Sequence, residues 1–243
     1  MKNKHIPLLS ILLVAGFSQS ANATPLSASM NLTATADFDG INQTTSNADA
    51  WGTLLAPLNV SATAAVNGAG APFGASVGGS GAATWGAGGN SGSVSFKNYG
   101  WNVNVGSDIQ DWEVDLTSTG NDWGYTFTAD KDGIFSMRYL VTSTGTQSHF
   151  RGWDILWDGS VDLVLGDLNS PDASGLYSHD VFAGDTYTIA LKNKARQSGG
   201  DADEAFSGSM TGVFTFSIPE PASLALLGIG LAGLGFMRRR RLN

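Results

Sequence analysis

The sequence predicts an all-β fold, an antiparallel β-sandwich, on three observations. Large apolar residues recur with a period of two through most of the second half of the chain. Turn residues separate these runs, and no stretch between the two ends of the chain has helical periodicity. A jelly-roll-like sandwich is the first expectation and an immunoglobulin-like one the alternative.

Taken in order, the first 23 residues read as a leader. Lys2 and Lys4 precede the apolar run Ile6 to Phe17, and Ala21-Asn22-Ala23 supplies small residues in the pattern of a cleavage site. That order is a signal peptide, with cleavage expected before Thr24. The apolar run is shorter than the ~20 residues a membrane anchor needs. The body is then residues 24–217. Up to Asn67 it is rich in Ala, Ser, Thr and Asn, and Leu58 to Val66 alternates as a strand does. Residues 67–92 hold ten glycines, a density that defeats a helix because each glycine loses too much backbone entropy. A long loop, a bulged sheet edge or a linker is expected there.

Beyond Gly92 the alternation persists. Trp101, Val103 and Val105 share one face, as do Trp112, Val114 and Leu116, then Trp123, Tyr125 and Phe127. Phe135, Met137, Tyr139 and Val141 follow, then Trp153, Ile155 and Trp157, and Val161, Leu163 and Leu165. Tyr187, Ile189 and Leu191 continue the pattern, and Met210, Phe214, Phe216 and Ile218 close it. Asp132-Gly133, Asp158-Gly159 and Ala183-Gly184-Asp185 supply the turns. About eight strands from this span pack as two facing sheets with the aromatic faces inward.

The chain closes on a different kind of segment, residues 218–243. Ile218-Pro219-Glu220-Pro221 ends the sheet, because both prolines fix φ and remove an N–H. An apolar run of sixteen residues, 222–237, follows, and then Arg238, Arg239, Arg240 and Arg241. As a helix the run reaches about 24 Å, and snorkelling arginines extend it enough to cross a bilayer once. The positive-inside rule keeps the arginines cytoplasmic and the body outside. This three-part tail resembles the PEP-CTERM sorting signal of exported proteins in Gram-negative bacteria. The resemblance implies that Pro219, Glu220 and Pro221 are read by an exosortase, a multi-spanning membrane protease. It further implies transient residence in the inner membrane and delivery to the cell surface or exopolysaccharide matrix. No activity of the body carries over.

Composition narrows the rest. Six of the 13 Lys and Arg lie in the two ends, while 20 of the 21 Asp and Glu lie between them, so the body carries 7 cations against 20 carboxylates, near −13. Such a charge repels phosphate backbones and excludes nucleic acid as a partner. The absence of cysteine leaves stability to burial and sheet pairing, and removes thiolate chemistry.

Catalysis finds no support in spacing. Asp111, Glu113 and Asp115 alternate on one strand as a solvent face does, and His149 and His179 lie far apart with no zinc-ligand spacing. No Gly-x-Ser-x-Gly elbow occurs. The protein is therefore expected not to be an enzyme and to hold no cofactor. Calcium is the one ion the acidic series Asp154, Asp158, Asp162, Asp167 and Asp201, Asp203, Glu204 could serve, although EF-hand spacing is missing. Of the seven tryptophans, Trp112, Trp123, Trp153 and Trp157 alternate with aliphatic residues and belong in the core. Trp51 and Trp85 fall outside clear strands and are the candidates for stacking on sugar rings. Two functions compete: a non-enzymatic surface or matrix protein, and a glycan-binding module.

Overall fold

The structure, a computed structural model, describes residues 23–68, 73–105, 111–145, 152–166, 172–199 and 203–218. The leader through Asn22, the run 222–237 expected to cross the membrane, and the sorting residues Pro219 to Pro221 and Arg238 to Arg241 lie outside the described residues. Among the described residues no helix is long and apolar enough to cross a membrane.

The described residues form fourteen strands, all paired antiparallel, and one short 3-10 turn, Ala87–Gly89. An eight-stranded sheet contains β1 (Ala23–Phe38), β2 (Ile41–Ala50), β6 (Trp112–Asp115), β7 (Trp123–Ala129), β9 (Trp153–Trp157), β10 (Ser160–Leu165), β12 (Thr186–Asn193) and β13 (Arg196–Gly199). A six-stranded sheet, in the order β11-β8-β14-β5-β4-β3, contains β11 (Ala173–Val181), β8 (Gly133–Gly145), β14 (Glu204–Ser217), β5 (Ser91–Asn104), β4 (Gly74–Trp85) and β3 (Leu58–Asn67).

The second half of the chain pairs as one nested ribbon. β9 pairs with β10, β8 with β11, β7 with β12, β6 with β13 and β5 with β14. The ribbon is closed by the turn at Asp158-Gly159, whose residues hold φ of 48° and 82°, the left-handed pair a two-residue hairpin requires. β1 lies beside this ribbon. Its first half pairs with β7 and its second half with β6, both on the edge opposite β2.

The two sheets face each other through aromatic side chains. Phe96 of the six-stranded sheet lies 4.5 Å from Trp153 of the other, ring centre to ring centre, and Phe216 lies 4.4 Å from Phe127. Trp101, Trp112, Trp123, Trp153 and Trp157 are all buried, as their alternation with aliphatic residues requires. The core is continuous across both sheets, and burial of this apolar surface is the main stabilising contribution.

The glycine-rich stretch expected to be a loop, a bulged edge or a linker contains an interior strand among its described residues. Residues 74–85 form β4, an interior strand between β3 and β5. Its glycines are there for close packing: a Cβ on Gly81 would lie 2.7 Å from Met30 Cε and 2.8 Å from Phe96 Cε1. Small residues on this strand make room for large ones from β1 and β5. Strand β1 begins at Ala23, which pairs with Ala129, so the sheet includes the last residue assigned to the leader.

The lateral edges of the sandwich are tied by side chains. On one side, Asp49 and Gln43 of β2 accept the N–H groups of Asn59 and Ala65 on the outer edge of β3, at 2.8 and 2.6 Å. On the other, the Tyr177 hydroxyl of β11 donates to Asp162 of β10 at 2.8 Å. These bonds occupy backbone and side-chain groups that would otherwise offer a pairing edge to another chain.

One buried polar node interrupts the ribbon between β6 and β7. Asp122 accepts from the Ser118 hydroxyl at 2.9 Å and the Asn193 N–H at 2.6 Å, while its own carbonyl accepts the Asn31 N–H at 2.9 Å. Burial pushes its carboxyl up to about 7, against the opposing pull of the bonds from Asn193 and Ser118.

Candidate functional site

The outward surface of the six-stranded sheet is built by alternation. Along β5 the chain reads Ser93-Val94-Ser95-Phe96, with Val94 and Phe96 buried and the serines turned outward. Strand β14 repeats this with Ser207, Ser209 and Thr211 between Phe206, Gly208, Met210 and Gly212. Neighbouring strands add hydroxyls opposite one another: Thr84 and Ser93 lie 2.9 Å apart, Thr142 and Ser209 2.7 Å. The result is a broad face of hydroxyls and amides.

A β-bulge creases this face at Lys97-Asn98. Gly78 pairs with Gly100 and Ser80 with Lys97, so one residue of β4 opposes two of β5. On the other side Gly208 pairs with Tyr99 and Met210 with Phe96, again one residue opposing two. Asn98 adopts the left-handed conformation, φ 53°, which asparagine tolerates better than most residues. The extra residue keeps Tyr99 turned inward, where its ring lies 5.5 Å from that of Trp153.

Three shallow depressions surround the crease. The first, of about 500 Å³, is lined by Thr63, Ser76, Asn98, Asn102 and Ser207. The second is lined by Asn59, Ser61, Ser80, Ser95 and Lys97, and the third by Lys97, Asn98, Thr142, Thr144 and Thr211. Each contains Lys97 or Asn98. The groups present offer hydrogen-bond donors and acceptors and one cation, with no acid, base or nucleophile in a catalytic arrangement.

Charge is distributed unevenly between the sheets. In the six-stranded sheet the outward positions of β3, β4, β5, β14 and β8 include no Asp or Glu and their cations are Lys97 and Arg138, while the edge strand β11 turns Asp180 outward. The eight-stranded sheet carries Asp37, Glu113 and Asp115 outward, and Arg196 bonds Glu113 at 2.7 Å. Asp37, Asp111 and Glu113 line a shallow depression of their own.

The residues singled out in the sequence are dispersed. Trp51 and Trp85 do meet, with ring centres 4.6 Å apart and edge to face, beside Tyr125 at 5.9 Å from Trp51. Both are half-buried against the core, and the Trp51 indole N–H donates to the Ala56 carbonyl at 2.9 Å. They form a packed corner of the sandwich, not a flat open platform. His179 stacks on Trp157, ring centres 4.4 Å apart and 10° from parallel, while His149 lies outside the described residues.

Asp154 pairs with Lys194 at 2.7 Å, Asp158 accepts the Thr188 N–H, and Asp203 accepts the Val105 N–H. Asp167 and Asp201 lie outside the described residues. Among the described residues no group of three His, Asp or Glu could hold a metal ion. Sequence reasoning missed Lys97 and Asn98. The one signal was the run of Ser and Thr at alternate positions in two distant segments.

Comparison with known proteins bears on the tail. Residues 217–241 match the model of the PEP-CTERM protein-sorting motif, so this chain carries that motif at its C-terminus. No curated protein matches the chain. Among solved structures, the chain is similar to the crystal structure of the GH31 alpha-xylosidase from Xanthomonas citri at 8% identity and a TM-score of 0.20. That match covers 80% of this chain and 29% of the other, and at such a score it carries no argument about fold or activity.

Proposed function

We propose that this is an exported, non-enzymatic protein of the cell surface or exopolysaccharide matrix, delivered by its C-terminal motif through exosortase processing. The observation that carries the reading is the sorting motif directly after the last strand: β14 ends at Ser217 and the matched segment is 217–241. In this reading 222–237 crosses the inner membrane before processing and Arg238 to Arg241 stay on the cytoplasmic side. A cysteine-free, acidic sandwich suits an exported body held by burial and sheet pairing. The nested ribbon supports a jelly-roll-like topology over an immunoglobulin-like one, since a jelly roll is one antiparallel ribbon wrapped over two sheets. No catalytic residue and no cofactor is assigned.

The test is mass spectrometry of the surface or released form, beside a Glu220→Ala variant. The expected result is loss of the C-terminal arginines from the natural form and retention of the unprocessed variant in the membrane. An intact Asn243 on the mature surface protein overturns exosortase processing.

A second reading, a glycan-binding module, is favoured by the creased hydroxyl and amide face around Lys97-Asn98. Trp51 and Trp85 are weaker support for it, being packed on each other.

A further inference from the structure

We propose that the outward face of the six-stranded sheet binds an acidic polysaccharide, one bearing carboxylates along its chain, across the crease at Lys97-Asn98. The inference rests on the second reading above and specifies its ligand class.

Carboxylates are scarce on this face. The body has 20 carboxylates, yet none occupies an outward position on β3, β4, β5, β14 or β8. A neutral sugar gives no reason for that omission, because its hydroxyls donate well to Asp and Glu. A polymer carrying its own carboxylates does, since like charges brought together at a contact are costly.

The cations on the face point the same way. Lys97 and Arg138 are both exposed, and neither makes an ion pair among the described residues, whereas Lys194 and Arg196 are paired on the opposite sheet. Arg138 stands between Leu176 of β11 and Val213 of β14 in the sheet register, so its aliphatic stem has apolar neighbours and its guanidinium points outward. Acids stand toward the edges of the sheet: Asp180 faces outward on the edge strand β11, four residues along that strand from the partner of Arg138, while Asp172 accepts the Ser143 N–H at 2.7 Å and Asp49 the Asn59 N–H at 2.8 Å.

Around Lys97 lie the hydroxyls of Ser95, Ser209 and Thr211 with the Asn98 amide, groups suited to sugar hydroxyls, and Arg138 stands two strands from β5, opposite Val213 of β14. The outward carboxylates of the opposite sheet point away from this face, beyond the ~10 Å spacing of the two sheets and so more than a Debye length of about 8 Å away at physiological salt.

The test is affinity electrophoresis of the full chain in mild detergent, through gels containing polygalacturonate or dextran. Polygalacturonate is expected to retard the protein and dextran not to, with the retardation falling as sodium chloride is raised. Lys97→Gln with Arg138→Gln should weaken binding about tenfold, two exposed ion pairs repeated along a multivalent chain. A charge-matched control on the other sheet, Lys192→Gln with Arg196→Gln, should leave it within about twofold.

Equal weakening by both double variants overturns the assignment to this face. Retardation by dextran that survives Lys97→Gln with Arg138→Gln overturns the acidic ligand while leaving a glycan-binding module. Retardation by neither polymer overturns both, and leaves export and tail processing to be judged by mass spectrometry alone.

Discussion

Asp122 is a residue whose setting makes stability depend on pH in an unusual direction. Its carboxyl is fully buried and is raised to about 7, chiefly by loss of water. Between the unfolded value near ~3.9 and about 7, the folded protein therefore holds a proton that the unfolded chain has released. Stability from this group is present at acid pH and declines as pH rises through that window, then levels off. Relative to Asp122→Asn, which cannot titrate, the wild type should lose up to about 1.4 kcal/mol per pH unit between pH 4 and 7. Urea unfolding at several pH values measures the difference, and a flat difference contradicts the assignment. Asp122→Ala should cost about 2 to 3 kcal/mol at neutral pH, since it strands the buried Asn193 N–H and Ser118 hydroxyl. Gly81 is the second such position. Gly81→Val should lower stability by about 2 kcal/mol, because the new side chain meets Met30 and Phe96 where no space exists. Thermal unfolding reads that loss.

At the scale of elements, the edges are where a small change should have a visible consequence. Gln43→Ala with Asp49→Ala frees two N–H groups on β3 and should cost about 1 kcal/mol, with self-association appearing in light scattering at concentrations where the wild type stays monodisperse. The elements also show what the sequence could and could not disclose. Strands built from Trp, Tyr, Phe and Val were legible because each large side chain marks the buried face. Strand β4 was not, because its inward positions are Ala, Val and Gly, and a glycine there looks like a turn until its neighbour Phe96 is known. Strand β2 has no apolar face, being exposed almost throughout, so period two had nothing to mark. The candidate face was illegible for a related reason. Ser, Thr and Asn serve loops and outward strand positions alike, and the missing carboxylates become a pattern only when Asn59, Ser95, Thr142 and Ser209 share one surface.

For the whole molecule, two ends that are far apart in sequence meet at Asn90. The Ala23 N–H donates to its side-chain oxygen at 2.7 Å, and the Phe216 N–H to its carbonyl at 2.9 Å. The segment expected to be a leader and the sorting tail therefore adjoin the sandwich through residues that meet at the same place. Since β14 ends at Ser217, removing the residues beyond Ile218 should leave the melting temperature unchanged within about 2 °C while abolishing membrane association, a pair of readings from thermal unfolding and fractionation. A large loss of melting temperature shows that the tail stabilises the body.

The nested ribbon also sets a timetable. Its innermost pair, β9 with β10, closes over two residues, but β5 must wait more than a hundred residues for β14. A sheet whose central strand is among the last to emerge cannot be completed during synthesis or export, and pairings so distant in sequence form slowly. The unfinished six-stranded sheet has β4 and β5 paired on one side of the gap and β8 with β11 on the other, both with open edges. Crossing the membrane unfolded and closing only when β14 arrives is the order of events this topology favours. Because the sorting motif comes directly after that strand, a tail held in the membrane, as proposed above, would make the final zipper close beside it.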